Sequence, residues 1–150
     1  MIQTVLRDFI MPMIKRPSSQ QVALLCYRLK GTEREYLLVT SRDTGRWVIP
    51  KGWIKKGKSA ERSALEEGWE EAGIVPKKTR PHRVGTYTYN KRLGKGLVVS
   101  VEVNVFEVEL SKLENKYPEV SERKRRWMTR DEAAEAVHEP SLTKLLQSLP

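Results

Sequence analysis

The sequence predicts an α/β fold, a sandwich in which strands surround one central helix and further helices close the C-terminal end. Three observations carry this. Apolar runs of strand length fill the region between Gln21 and Ile49. A carboxylate-rich stretch at helical spacing lies between Gly52 and Ile74, and helical patterning returns from Asp131 onward. At 150 residues the chain is one domain in length and can bury a core of its own.

Residues 1–19 read as an N-terminal extension and 20–150 as a single domain. In the extension, Ile2, Val5, Leu6, Phe9 and Ile10 are interrupted by Arg7 and Asp8, a pattern for a short amphipathic helix rather than a signal peptide. Residues 14–20 (IKRPSSQ) form a linker. Gln21 to Arg28 is a continuous apolar run typical of a buried strand, and after a turn at Gly31, Glu35 to Thr40 returns as its hairpin partner. A loop over Ser41 to Gly45 leads to a short strand, Arg46 to Ile49, and then to a rigid turn at Pro50-Lys51-Gly52.

Beyond Ile74, residues 75–80 are a polar connection, Arg83 to Tyr89 alternates as a strand, and 90–96 (NKRLGKG) is a basic loop. Leu97 to Leu110 is the longest strand signal. Its apolar residues occupy odd positions as far as Val105 and then shift to Phe106, Val108 and Leu110, which predicts a bulge or a change of sheet at 105–106. Residues 112–122 are a loop, and 123–129 (RKRRWMT) lead into a strand around Trp127. A helix over Asp131 to Val137 follows Thr129 or Arg130. Pro140 then opens the last helix, with Leu142, Leu145, Leu146 and Leu149 as its apolar positions.

The net charge of +9, from 28 basic and 19 acidic residues, suits a polyanionic partner: nucleic acid, an anionic membrane or a phosphorylated metabolite. No apolar run approaches the roughly 20 residues that cross a bilayer. Cys26 is the only cysteine, which excludes an internal disulfide and suits a reducing compartment, so a cytoplasmic location is expected; its apolar neighbours assign it to packing. His82 and His138 are too far apart for a histidine metal site. Neither a glycine-lysine phosphate loop nor a Ser-His-Asp constellation is in view.

The stretch GWIKKGKSAERSALEEGWEEAGI concentrates the chemistry. On a helix, Glu67, Glu70 and Glu71 project together, while Ala64, Gly68 and Ala72 form a small-residue stripe for close packing. Such like-charge pairs cost about 0.2–0.5 kcal/mol each. A solvated acidic face would tolerate this. A hard divalent cation among the carboxylates would relieve it. Gly73 suits a left-handed helix stop, and Ile74 resumes the core.

Gly52, Glu67, Glu70, Glu71, Gly73 and Ile74 fall at the spacing of the Nudix box, which this stretch resembles. Lys58 stands where that pattern has its first Glu, Glu66 where it has Arg, and Gly68 at a hydrophobic position. The likeness extends over roughly residues 20–146, through VALLCYR, EYLLVTSR, RWVIPKG and YPEVSERKRRWMTRDEAAEAV. It is similar to the diphosphoinositol polyphosphate phosphohydrolase-like branch and to small bacterial hydrolases of the family. Members acting on inositol pyrophosphates carry basic residues before the first strand, where this chain has Gln20 and Gln21.

The resemblance implies a Nudix-type α/β/α sandwich with a mixed β-sheet and a loop-helix-loop catalytic box. It implies metal-dependent hydrolysis of a phosphoanhydride (pyrophosphate) bond in a nucleoside-diphosphate-linked or polyphosphorylated metabolite, with diphosphoinositol polyphosphate and dinucleoside polyphosphate both open. Mg²⁺ or Mn²⁺ would be held by Glu67, Glu70, Glu71 and the main-chain carbonyl of Lys51, with Glu67 organising the attacking water. Glu102, Glu119 and Glu122 are candidates for a further metal-shell carboxylate.

Arg42, Lys51, Lys91, Arg92 and Arg123 are candidate phosphate contacts, with Gly52 beside them in the turn. Trp47, Trp53, Trp69 and Trp127 suit core or rim, and Trp53 is placed to reach a substrate. Strand alternation would split the RKRR run between two faces, which argues against a nucleic-acid patch. Lys58 is expected to pair with Glu66 or a metal-shell Glu and so restore the missing cation. The expected partner is a small polyphosphorylated substrate, with no membrane; oligomeric state, a homodimer included, is open. The rival reading is a non-catalytic Nudix-fold module that binds a nucleotide or RNA.

Overall fold

A computed structural model describes residues 20–150; the expected amphipathic helix and all but the last residue of the linker lie outside the described residues. Eight strands form one mixed sheet: β1 (Gln21–Lys30), β2 (Glu33–Thr40), β3 (Trp47–Val48), β4 (Lys51–Trp53), β5 (Ile74–Pro76), β6 (His82–Arg92), β7 (Val98–Leu113) and β8 (Arg125–Thr129). Among the described residues the helices are α1 (Ala60–Ala72), α2 (Arg130–Ala136) and α3 (Pro140–Gln147). Strand β1 pairs in parallel with β7 and antiparallel with β2 and β4, so the sheet is mixed as expected.

The unbroken apolar run of β1 is explained by burial on both sides. Ala23 and Leu25 face a core closed by α2 and α3, whereas Val22, Leu24 and Cys26 face a second core closed by α1. Burial pushes the Cys26 thiol up to about 12, consistent with its packing role. The helices therefore cover opposite faces, the α/β/α arrangement. Among the described residues, no helix is long and apolar enough to cross a membrane.

The structure corrects the sequence reading at four places. Residues 51–53 are not part of a turn: they pair with Gln21 to Ala23 as β4, and the chain reverses later, around Lys55 to Lys58. The connection after Ile74 begins with β5, which pairs with the end of β7, and β6 runs into the expected basic loop as far as Arg92. Strand β7 contains no inserted residue, because its register with β1 is continuous from Gln21↔Val103 to Tyr27↔Glu109. Up to Val105 the odd residues fill the core under α2 and α3; from Phe106 the even residues fill the core under α1. The irregularity lies on β6, whose register jumps from Arg83↔Phe106 to Gly85↔Val105 and leaves Val84 over.

The C-terminal elements match their signals. Thr129 caps α2 in a reciprocal capping box with Glu132, and Pro140 occupies the first turn of α3. At the end of α1, Gly73 adopts φ 69° and donates its N–H to the carbonyl of Trp69 at 3.0 Å. A Cβ there would lie 2.6 Å from Tyr117 Cδ1 and 2.7 Å from the Glu114 carbonyl oxygen. Gly73→Ala should therefore lower unfolding stability by about 2 kcal/mol or more, the left-handed penalty plus the clash. Urea unfolding with a native-like midpoint would refute this.

Candidate active site

Helix α1 is built to carry acid on one wall of a cleft. Ser59 caps its start by accepting from the Arg62 N–H at 3.1 Å. Its small-residue stripe seats it on the sheet: Gly68 lies so close to β1 that an added Cβ would be 2.3 Å from Leu24 Cδ2. Leu24 thus fills the volume that a hydrophobic side chain at 68 would need. Gly52 of β4 passes equally close to Glu67, where a Cβ would meet the carboxyl carbon at 2.3 Å. These two approaches bring Glu67, Glu70 and Glu71 into a cleft of about 340 Å³.

Arg42, Lys51, Gly52, Lys91 and Arg123 line the same cleft, together with Trp53, Tyr89, Gln21, Asp43 and Glu119. Arg92 does not. It follows Lys91 on β6, and alternation turns it away from this cleft. Of the three further carboxylates considered, Glu119 lines the cleft, Glu122 pairs with exposed Arg42 at 3.4 Å, and Glu102 faces elsewhere, opposite Thr88.

Arg123 also differs from expectation. Its side chain is only 8% exposed and its donors are already engaged: Glu119 at 2.9 Å, the Thr40 carbonyl at 3.0 Å and Glu71 at 3.6 Å. It orients carboxylates rather than waiting for phosphate. Arg125, two residues on, donates to the carbonyl oxygens of Ala72 at 2.9 Å and Glu114 at 2.8 Å, capping the C-terminal end of α1. Arg126 packs over Trp47, with its guanidinium carbon 5.3 Å from the ring centroid. The basic run is thus divided among separate structural tasks.

At the other end of the carboxylate row, Lys58 pairs with Glu66, the expected ion pair. Lys55, which sequence reasoning missed, is more central. Its Nζ lies 2.9 Å from Glu66, 2.9 Å from Glu70 and 3.8 Å from Glu67. Only the fold of the loop distinguishes it from Lys56. Lys58 and Lys55 together pull the Glu66 carboxyl down to about 2.

The buried carboxylates behave oppositely. Burial raises Glu67, with Lys55 opposing, and pushes Glu71 up to about 8, with Arg123 opposing and Glu67 adding to the rise. Desolvation prevails at Glu71 because Arg123 is nearer to Glu119 than to Glu71. Lys51 is lowered, first by burial, and its Nζ sits 5.1 Å from the Tyr89 ring centroid. Tyr89 in turn donates to Gln21 at 2.6 Å.

The donor set suits a hard cation: carboxylates at Glu67, Glu70 and Glu71, two of them buried at 8% and 6% exposure, beside the Lys51–Gly52 main chain. Among the described residues, no three carboxylate, imidazole or thiol side chains already converge as a ligand cluster. Lys55 holds Glu70 and Arg123 holds Glu71, which accounts for the spread.

The model of the NUDIX domain matches residues 19–149 of the chain. The chain is 29% identical over 133 residues to diphosphoinositol polyphosphate phosphohydrolase 3-alpha of Mus musculus, covering 87% of this chain and 77% of that protein. It is 32% identical over 124 residues to Nudix hydrolase 18, mitochondrial, of Arabidopsis thaliana, covering 78% and 68% respectively. In fold it resembles the Ap4A hydrolase of C. elegans, with a TM-score of 0.62 at 22% identity over 85% of this chain and 92% of that one. It also resembles the NUDIX domain of Shewanella oneidensis NrtR complexed with ADP ribose, with a TM-score of 0.62 at 17% identity over 86% and 84%. With this match over nearly its whole described length and the box carboxylates gathered on one cleft wall, the chain belongs to the NUDIX family.

Proposed function

We propose that this NUDIX protein is a pyrophosphohydrolase that uses Mg²⁺ or Mn²⁺ to cleave a phosphoanhydride bond in a small phosphorylated metabolite. One observation carries the reading: Glu67 and Glu71 are buried carboxylates in a cleft that also holds the cations Lys51 and Lys91. Glu67, Glu70, Glu71 and the Lys51 carbonyl would hold the metal. A bound divalent ion neutralises pyrophosphate charge and makes water a better nucleophile. Glu67 orients the attacking water and takes its proton, as the water oxygen bonds to phosphorus and the bridging P–O bond breaks. Lys51 and Lys91 hold the phosphate oxygens, and Arg123 keeps Glu71 and Glu119 in place.

The cleft favours a substrate with a base and a short phosphate chain. Its acids are Asp43, Glu67, Glu70, Glu71 and Glu119; its cations are Arg42, Lys51, Lys91 and Arg123, of which the two arginines already face carboxylates. That balance suits a dinucleoside polyphosphate or a nucleoside-diphosphate-linked compound better than a fully phosphorylated inositol ring. Trp53, 38% exposed at the rim, offers a ring face for the base.

The test is product release from a panel of dinucleoside polyphosphates, nucleoside triphosphates, nucleotide sugars and diphosphoinositols, with and without metal. Turnover should need Mg²⁺ or Mn²⁺, and Glu71→Gln should reduce it by about a hundredfold or more. Silence across the panel without metal binding would replace this reading with a binding module.

A second expectation concerns pH. The folded-state proton affinity of Glu71 is raised, so the folded chain holds that proton more tightly than the unfolded one, and stability falls as pH climbs toward about 8. The melting temperature of the metal-free protein should therefore decline from about pH 5 to about pH 8. The decline should shrink in Glu71→Gln and on adding Mg²⁺; an equal decline in all three samples would exclude Glu71 as its source.

A further inference from the structure

We propose that Lys55 is a tethered counter-ion that holds Glu70 in the metal-free chain and has to release it before Glu70 can take a divalent cation. The inference rests on the metal-dependent reading of the cleft and adds a competitor built into the box. Two hydrogen bonds anchor the backbone that carries this lysine. The Lys55 N–H donates to Ser63 Oγ at 3.0 Å, Ser63 is fully buried, and the Lys55 carbonyl accepts from the Lys58 N–H at 3.0 Å. From that anchored backbone, the Nζ reaches Glu66 and Glu70 at 2.9 Å each and Glu67 at 3.8 Å. The ammonium thus sits against two of the three carboxylates that would hold the metal.

Glu66 gives the device its second position. It is one helical turn from Glu70, outside the metal-holding set, and receives both Lys58 and Lys55. When a divalent ion approaches, Lys55 gives up Glu70 and keeps Glu66. A cation is then exchanged for a cation, and the helix is never left with its carboxylates uncompensated. This also gives a physical reason for Glu66: an arginine there would repel Lys55 and leave the ammonium no place to withdraw to.

The experiment is Mn²⁺ binding to the full chain, followed by electron paramagnetic resonance, with melting temperature as a second readout. Lys55→Met should tighten Mn²⁺ binding by about tenfold, the size of one ion-pair contact at this separation in a high dielectric. It should also enlarge the rise in melting temperature on adding Mn²⁺. Lys55→Arg, which keeps the cation, should bind Mn²⁺ like the native chain. Glu66→Gln should weaken binding, since Lys55 then has only the metal carboxylates to pair with; a purely structural loop contact would not give opposite signs at 55 and 66. Lys55→Gln repeats the measurement if Lys55→Met folds poorly. Unchanged or weaker Mn²⁺ binding in both neutral variants would overturn the proposal and make Lys55 a support for Glu70. Absence of Mn²⁺ binding in the native chain and every variant would instead remove the metal-dependent reading on which it stands.

Discussion

Repulsion among Glu66, Glu67, Glu70 and Glu71 on successive turns of α1 is the constraint around which the cleft is arranged. Each close pair costs a few tenths of a kcal/mol on an exposed helix, and burial of Glu67 and Glu71 adds a desolvation penalty. The chain answers with cations from two distant segments. Lys55 and Lys58 arrive from the loop before the helix, and Arg123 arrives just ahead of β8. Because the two groups stand at opposite ends of the row, they draw the carboxylates apart along the helix. The middle is left as the region where a divalent ion would have most to neutralise.

Electrostatics alone would not put the acids in a cleft; close packing does. Gly68 lets α1 descend onto Leu24, and Gly52 lets β4 pass against Glu67. A side chain at either place would lift the helix or push the carboxylate away, so two glycines decide how deep the acid row sits. Arg125 then ties the carbonyl of Ala72 to that of Glu114, and Gly73 turns the chain directly into β5. The C-terminal end of the helix is therefore held where the chain enters β5.

Most of the frame was legible because its causes are local. Continuous apolar runs mark strands covered on both faces, and Gly73, Thr129 and Pro140 announce helix ends through their backbone chemistry. The failures share a different origin. Val75 and Lys51 belong to strands only because β7 and β1 offer them hydrogen bonds, and a three-residue segment has no periodicity to display. The apolar shift in β7 suggested a bulge or a change of sheet because one sequence cannot show that a helix covers the even face only beyond Val105. In the site, the box carboxylates were readable from spacing. Lys55 was not, because three lysines share that loop and tertiary structure alone selects the one that folds back.

The altered box positions are best understood as a redistribution of charge. The familiar pattern has Arg at position 66 and Glu at position 58; here the signs are exchanged, and Lys58 meets Glu66 across the same gap. An exchange of this kind preserves the local sum but moves the cation off the helix and onto a loop. A guanidinium on the helix would be fixed beside Glu67 and Glu70, whereas an ammonium on a loop can be drawn toward them or away. Arg123, in the cleft wall at 8% exposure, meets Glu119, the Thr40 carbonyl and Glu71 from the other side. Arg123, just ahead of β8, thus compensates one end of the carboxylate row and the box loop the other, a division that a single arginine at position 66 could not provide.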